Sequence, residues 1–580
     1  MPTRSGAVHV AITRRRYKGK IYRTILLRRS YRDGSSVKHE TLGNISHLPD
    51  LIVDLIRRSL GGERFVSTTD AFEIVKSAPH GHVEAVVAAL RALDLENLLS
   101  STRSRERDLV LAMITERLIH PSSKLATTRL WHSTTLAEEF KVEDAGVDEL
   151  YEALDWLLTR KERIEGKLAS KHLKDGALVL YDASSTYYYG RTCPLAQFGY
   201  SRDAKKGLPV IVFGLLTDRE GRPVAVDVYP GNTGDPTTVR DQVKKLREHF
   251  GLSRVVIVGD RGMITQTQIE TFRDEEGLGW ISCLRNRSIR ELVSRGSLNR
   301  SLFDEKNLAE IRSPSYPGER LIACFNPLLA EERRRKRLEL LQATQEDLER
   351  LAKEVKRRKH KLLGKAEIGL KAGRLLNRFK MGKLFTLKIG DGVFEWSRRE
   401  DEIEREAQLD GIYVVRTSEP PQRFSAKDTV RTYKSLALVE RAFRCLKGID
   451  VLVRPIHHRL EDRVRAHIFL CMLTYYVEWH MRKALAPLLF QDEELGTLRT
   501  RDPVATAEPS ESVRQKKTSR LTNDGLPLQS FRTLLATLGT RSRNTCRVKS
   551  DPTGAVFQQL TLPTPLQARA FELLQRSQNP

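Results

Sequence analysis

The hydrophobic pattern of this chain changes rhythm several times, and each rhythm predicts a different kind of element. Residues 7–43 (VHVAITRRRYKG…YRTILLRRSYRDG) alternate in part, which predicts short β-strands joined by basic turns. Period-3.6 patterns follow at 83–99, 104–119 and 145–171, and predict helices; Pro121 stops the second. Between 175 and 290 apolar, β-rich runs take over at 177–181, 209–216, 223–229, 254–259 and 280–284. Residues 214–232 predict a hairpin around Asp-Arg-Glu-Gly, and 236–249 a helix before the next strand. Strand, hairpin, helix, strand is the order of an α/β core whose first strands are antiparallel and whose later strand is parallel.

From 290 to 410 the pattern is interrupted. Residues 329–363 read as one long charged helix, in which Leu341, Leu348, Val355 and Leu362 recur every seven positions, with Leu351 beside them. That seam suits a coiled coil or packing within its own domain. Segments 318–326 and 383–396 read as strands. The core pattern then resumes with a strand at 410–418, an amphipathic helix at 433–447 and a second helix at 460–486. Beyond 490 the chain turns polar, and 491–527 reads as a linker or disordered stretch.

Charge sharpens this picture. Lys and Arg number 99 against 74 Asp and Glu, a formal net charge of +25 in 580 residues. Residues 1–60 alone hold 13 Lys/Arg against 4 Asp/Glu. An excess this large and this uneven suits a nucleic-acid partner, whose counterions such an arm displaces. Six scattered cysteines include no CxxC pair, so a structural zinc site is not expected and reduced thiols are. No apolar run long enough to span a membrane is present, and the first residues lack a signal peptide's apolar core. A cytoplasmic protein, with no membrane partner, is the expectation.

Three acids carry the candidate chemistry. Asp182 ends the run Ala-Leu-Val-Leu-Tyr, Asp260 ends Val-Val-Ile-Val-Gly, and Glu440 lies on the amphipathic helix. Two aspartates at strand ends and a glutamate on a helix match what a two-metal phosphodiesterase needs, with ions roughly 3.5–4 Å apart around a phosphate. Tyr433, Leu436, Glu440, Arg444 and Lys447 fall along one helical face. Blander readings exist for each acid: an Asx-turn for Asp182 and for Asp260, and an exposed Glu–Arg pair at i,i+4 for Glu440.

The segments YDASSTYYYG (181–190), GYSRDAKKGLPVIVFGLLTDREGRPVAVDVYPGNTGDP (199–236) and VVIVGDRGMIT (255–265) resemble bacterial insertion-sequence transposases of the DDE type. More narrowly, they resemble the branch with a Tyr-x2-Arg-x3-Glu-x6-Lys signature around its last acid, the class-four insertion-sequence type. Here that signature is Tyr433, Leu436, Glu440 and Lys447, with leucine where the family has arginine. The resemblance is close over about 175–285 and 405–485.

It implies an α/β fold: a ribonuclease-H-like catalytic core interrupted by an inserted β/helical domain, with a mostly helical N-terminal region preceded by a small β-rich basic segment. The layout is then 1–65 basic β-rich, 66–174 mostly helical and DNA-binding, 175–290 and 406–490 core, 291–405 insertion, and 491–580 a basic polar tail. The spacing agrees, since 440 − 260 = 180 positions exceed what one connection needs.

By the same resemblance, Asp182, Asp260 and Glu440 bind two Mg²⁺ ions, with Mn²⁺ able to substitute. Tyr433 and Lys447 grip DNA phosphates, and Arg441 or Arg444 stands in for the missing arginine. Trp280 and Trp396 are the aromatics for holding a flipped base, while Asp235 and Arg202 support the site from behind. The implied function is binding of terminal inverted repeats, strand cleavage and 3′-OH transfer into target DNA, by a homodimer on DNA that is nucleoid-associated when bound. The alternatives are a ribonuclease-H-like nuclease that does not join strands, and an inactive DNA-binding relic.

Overall fold

In the computed structural model the alternating N-terminal stretch pairs with itself. Strands Ala7–Tyr17, Lys20–Asp33 and Ser36–Asn44 form an antiparallel sheet. The first turn, Lys18–Gly19, has φ of 47° and 75°. Two positive values in a two-residue loop make the type I′ geometry that matches strand twist and favours glycine. Helix Asp50–Leu60 follows, and Ile25 and Val53 are buried in this unit. A second sheet joins Phe72–Pro79 to Ser542–Val548 and Val556–Leu560, with the Phe72 and Phe557 rings 5.8 Å apart. These elements make one unit, Met1–Ser77 with Arg543–Leu560, and the remaining residues make the other. The structure describes residues 6–576 apart from 64, 66–70, 204, 206, 304–305, 358–361, 492–502, 505–509 and 550–554.

The larger unit is built on an eight-stranded mixed sheet. Its order is Leu308–Ile311, Arg320–Phe325, Ile412–Thr417, Leu278–Cys283, Val255–Val258, Ala177–Tyr187, Val210–Asp218 and Pro223–Pro230. Ala177–Tyr187 runs antiparallel to Val210–Asp218 and parallel to Val255–Val258, which is in turn parallel to Leu278–Cys283. Antiparallel strands first and parallel ones after the helix Asp235–Lys244 is the order expected from the sequence. Strand Val255–Val258 is buried along its whole length, as a strand covered on both faces must be.

Helices Arg105–Ile119, Val147–Leu158 and Glu461–Ala484 pack together, and the last also packs on the strand Pro223–Pro230. Glu461–Ala484 is buried on nearly every side from Val464 to Glu478, which is how one helix joins the helical layer to the sheet in a single core. The periodic stretch 83–99 divides into Gly81–Ala92 and Leu95–Leu99, because Asp94 adopts φ 53° between them.

Three expectations change. The stretch read as a polar tail, 491–580, folds over much of its described length; helices Phe531–Gly539 and Pro565–Arg576 bury Phe531, Leu534, Leu535, Leu538, Leu566 and Leu574. Residues 492–502 and 505–509, in the part read as a linker, lie outside the described residues. Second, the long helix ends at Val355, and its heptad leucines serve an intramolecular core. Leu341, Leu348, Leu351 and Val355 cluster with Ile368, Ala372, Leu384, Phe385 and Phe394 from helix Lys365–Phe379 and the hairpin Phe385–Gly390/Val393–Arg398. Third, strands Leu308–Ile311 and Arg320–Phe325, which fall in the stretch read as insertion, extend the main sheet beside Ile412–Thr417.

Leu348 is 0% exposed in that intramolecular core. Leu348→Ala should therefore cost about 2–5 kcal/mol locally. In limited proteolysis under rising urea, cleavage around residues 327–398 should appear at lower denaturant than in the wild type. Unchanged proteolysis with a lowered oligomeric state would place Leu348 in a seam between chains instead.

Candidate functional site

Parallel pairing fixes the first two acids. Leu180 stands opposite Val258 and Ala177 opposite Val255, an offset of 258 − 180 = 78 positions. The spacing from Asp182 to Asp260 is also 78, so the two aspartates stand at the same level of neighbouring strands, which lie about 4.8 Å apart. Asp260 follows the end of its strand, as expected. Asp182 does not: its strand continues to Tyr187, and Asp182 pairs with Leu215 in mid-strand. The apolar run stops at Asp182, while burial and backbone pairing go on through Ala183, Ser184, Ser185 and Thr186.

Electrostatics report the same convergence. Burial, and next the Asp260 carboxylate, push the Asp182 carboxyl up from 3.8 to about 7. Asp182 Oδ1 accepts the Ala183 N–H at 2.8 Å. Asp260 Oδ1 accepts N–H groups from Gly262 and Met263 at 2.7 and 2.9 Å. The turn-capping reading of Asp260 is thus correct for one oxygen. The other oxygen of each aspartate has no hydrogen-bond partner among the described residues. Arg202 lies close enough to favour the Asp182 carboxylate, and it is already ion-paired with Asp235.

The stretch 433–447 is two helices, Ala426–Lys434 and Leu436–Lys447, meeting at Ser435. The Ser435 hydroxyl donates to the Thr432 carbonyl at 2.6 Å, a local bond that competes with helix continuation. Tyr433 therefore belongs to the first helix. Its phenol is half-buried beside Cys283 and Asp260, and burial raises its pKa. Leu436, at the position compared above with the signature arginine, is 9% exposed and packs in the main core. An arginine there would have to leave that core.

Helix Leu436–Lys447 runs alongside the strand that bears Asp182. Leu438 approaches Gly221 at the hairpin tip, Phe443 meets Phe213 with ring centroids 5.4 Å apart, and Lys447 Nζ donates to the Ser185 carbonyl at 2.5 Å. Phe213 pairs with Ser184, and Asp218, before the tip, pairs with Val179. The helix is thus aligned with the strand, and Glu440 lies one turn before the Phe443–Ser184 level, near that of Asp182. Glu440 is exposed and makes no hydrogen bond or ion pair with any described residue.

The cations separate. Lys447 is held by Asp203 at 3.2 Å as well as by Ser185, and burial lowers its pKa. Arg444 is exposed and unpaired among the described residues. Arg441 is exposed and acts on Cys445, Tyr475 and Glu478, away from the carboxylates. Trp280 is 2% exposed within the sheet, so its ring offers no open face to a flipped base. Trp396 is half-buried in the hairpin, 5.9 Å from the Phe385 ring.

Asp203 was not singled out in the sequence. It is 5% exposed and binds both Lys447 and Arg454, so it positions the end of the glutamate helix. Its signal was its place in the segment GYSRDAKKG, where it looked like one charge among several.

Among the described residues the acidic group whose ligand atoms lie within 4.8 Å of one another is Cys445, Asp450 and Glu478; Asp182, Asp260 and Glu440 are not brought that close together. Arg482 pairs with both of its carboxylates, so an internal cation already fills it. All six cysteines are buried. No described helix is long and apolar enough to cross a membrane.

A family model described as "Transposase DDE domain" matches residues 176–477, which contain Asp182, Asp260 and Glu440. A second, "IS1634 family transposase, N-terminal domain", matches residues 10–67. No curated protein matches by sequence. Among solved structures the chain is similar to a piggyBac transposase synaptic complex with hairpin DNA, at 10% identity and a TM-score of 0.33, over 79% of this chain and 77% of that one. The first match covers just over half of the 580 residues, and with the second beside it the chain belongs to the DDE transposases of bacterial insertion sequences.

Proposed function

We propose that Asp182, Asp260 and Glu440 are the acids of this transposase's catalytic centre, and that they hold two Mg²⁺ ions. The enzyme acts on DNA and depends on a divalent metal, as its family does. The observation that carries the assignment is the pair of neighbouring aspartates, one with its carboxyl raised to about 7 by burial and by the other. Two neighbouring carboxylates with a free oxygen apiece, one of them raised by burial and by the other's charge, suit a hard dication. Arg202 cannot serve as that cation while it is committed to Asp235. Glu440, unpaired at the same level, supplies the third oxygen donor.

When bound, the ions supply Lewis-acid activation of the attacking oxygen and stabilisation of the departing 3′ oxygen. The chain's own residues do the rest. The central strands fix Asp182 and Asp260, and Asp203 with Lys447 anchors the helix that brings Glu440. Tyr433, beside Asp260, sits where a scissile phosphate would lie, and Arg444 offers an unpaired guanidinium on the exposed face of the glutamate helix. The same centre serves 3′-end nicking, with water as nucleophile, and strand transfer, with the freed 3′-OH.

We read the strands 177–187, 210–218, 223–230, 255–258 and 278–283 as a ribonuclease-H-like core. Residues 327–407 are the insertion proper, and residues 1–65 and 66–174 contact the terminal inverted repeats. Two copies would act together on two ends.

Two outcomes test the assignment. Without metal, ionising Asp182 costs stability as pH rises from about 4 to about 7, because its folded pKa lies above its unfolded one. Asp182→Asn should therefore melt a few degrees above wild type at pH 8 and equal it near pH 4. Mg²⁺ should stabilise wild type more at pH 8 than at pH 6, and should not stabilise the variant. A melting difference that does not change with pH would remove Asp182 from the metal set.

The second outcome is chemical. On DNA carrying the flanking inverted repeats, wild type with Mg²⁺ or Mn²⁺ should nick 3′ ends and join them to target. Glu440→Gln should lose both by more than the ~10–100-fold typical of an outer-shell ligand. Nicking without joining in wild type would favour a nuclease, and binding without nicking an inactive relic. Nicking that survives Glu440→Gln would exclude Glu440 as the third acid.

A further inference from the structure

The strand that bears Asp182 ends at Tyr187, the first of three consecutive tyrosines, and nothing in the carboxylate chemistry uses them. Tyr188 points inward. It is 1% exposed, and its hydroxyl donates to the His458 carbonyl at 3.3 Å. The Tyr189 N–H donates to the Ile456 carbonyl at 3.0 Å, which ties the strand end to the segment 456–458. Alternation then turns Tyr187 and Tyr189 to the other side. Their ring centroids lie 5.2 Å apart, and the exposed His457 ring stacks on from Tyr189 at 5.8 Å and 31°.

Cations attend these rings. Lys205 Nζ sits 4.1 Å from the Tyr187 ring centroid and donates to the Tyr189 hydroxyl at 2.9 Å. The Arg454 guanidinium lies 5.6 Å from the Tyr187 ring. A second pair of exposed aromatics stands in the loop that Ser185 holds: Tyr200 and Phe198, 78% and 73% exposed. Their loop is clamped to the strand, since the Ser185 hydroxyl donates to the Tyr200 carbonyl at 2.9 Å and accepts the Arg202 N–H at 3.1 Å.

Single exposed aromatics are ordinary on a protein surface. A group of exposed rings with ammonium and guanidinium groups among them, at the end of the strand that carries Asp182, is a different matter. Ring faces beside cations are the recognition chemistry of single-stranded nucleic acid, in which bases stack and phosphates are neutralised. Duplex bases present no free face to such rings. Tyr187 stands five residues from Asp182, about 16 Å along the strand.

We propose that Tyr187, Tyr189 and His457, with Lys205, form a stacking platform for unpaired nucleotides of a DNA strand. One base lies on the Tyr189–His457 face, and Lys205 takes the adjoining phosphate. The purpose we give the platform, steadying a strand opened near the cleavage point, rests on the carboxylate assignment above. The binding itself does not.

The test is fluorescence anisotropy of a labelled oligo-dT and of a labelled duplex with the full-length protein, without metal so that no cleavage intervenes. Tyr189→Ala should weaken oligo-dT binding by about 5- to 100-fold, the loss of one stacked base, and leave duplex binding unchanged. Tyr189→Trp should restore it. Lys205→Ala should flatten the salt dependence for oligo-dT by about 0.7 in log–log slope, the effect of one phosphate contact. Oligo-dT binding by Tyr189→Ala equal to wild type would overturn the platform, as would an equal loss for duplex and single strand. Should Tyr189→Ala melt far below wild type, photocrosslinking decides. Wild type and a 5-iododeoxyuridine oligonucleotide should give adducts on Tyr187, Tyr189 or His457, and adducts confined to other segments would overturn the proposal. Because no metal is present, a wrong assignment of Glu440 leaves these readings unaltered.

Discussion

The parallel pairing of Ala177–Tyr187 with Val255–Val258 is the constraint on which the rest of the site depends. It sets two carboxylates at one level of adjacent strands, and nothing local would put them there. The pairing is held by strands buried on both faces, so a slip of one residue would move every side chain to the wrong side. Burial, and next the Asp260 carboxylate that this register places beside it, raise the pKa of Asp182. A protein selected for stability alone would not keep two acids so placed. The surrounding core, which runs through Glu461–Ala484 into the helical layer, supplies the stability that tolerates them.

Glu440, the third acid of the proposal, is positioned by another route. Glu440 sits on a helix whose buried side, Val439, Ala442, Phe443 and Leu446, is ordinary core, and whose C-terminal end is tied down through Lys447 to Ser185 and Asp203. The helix is thus aligned by packing at its middle and by a charge at its end. Leu436 shows how far packing rules here. This chain buries a leucine there, and the exposed cation of this helix is Arg444 on its other side.

Much of this was legible in the sequence, and the failures have physical causes. Strands, hairpin and the parallel return were readable because buried strands are continuous apolar runs. The break at Ser435 was not, since the amphipathic period runs through it and only a side-chain bond to Thr432 marks it. Asp182 looked like a strand end because hydrophobicity stops there, while backbone pairing continues to Tyr187. The C-terminal stretch looked like a tail because its polar composition masked a few periodic positions, Phe531, Leu534 and Leu538 among them, that reach the core. The heptad of the long helix was read correctly as a seam, but period alone does not say whether the partner is another chain. Here it is the hairpin and helix that follow.

The placing of residues 284–411 also has a structural logic. The chain leaves the sheet after Leu278–Cys283, adds Leu308–Ile311 and Arg320–Phe325, and returns as Ile412–Thr417 between Arg320–Phe325 and Leu278–Cys283. The returning strand is therefore gripped on both sides, and the separate core of residues 341–394 hangs from one edge of the sheet. Everything that follows the return, including the helix with Glu440, takes its starting position from that doubly paired strand. The stretch between these strands can vary internally without moving Glu440, provided the strand at 412–417 keeps its register.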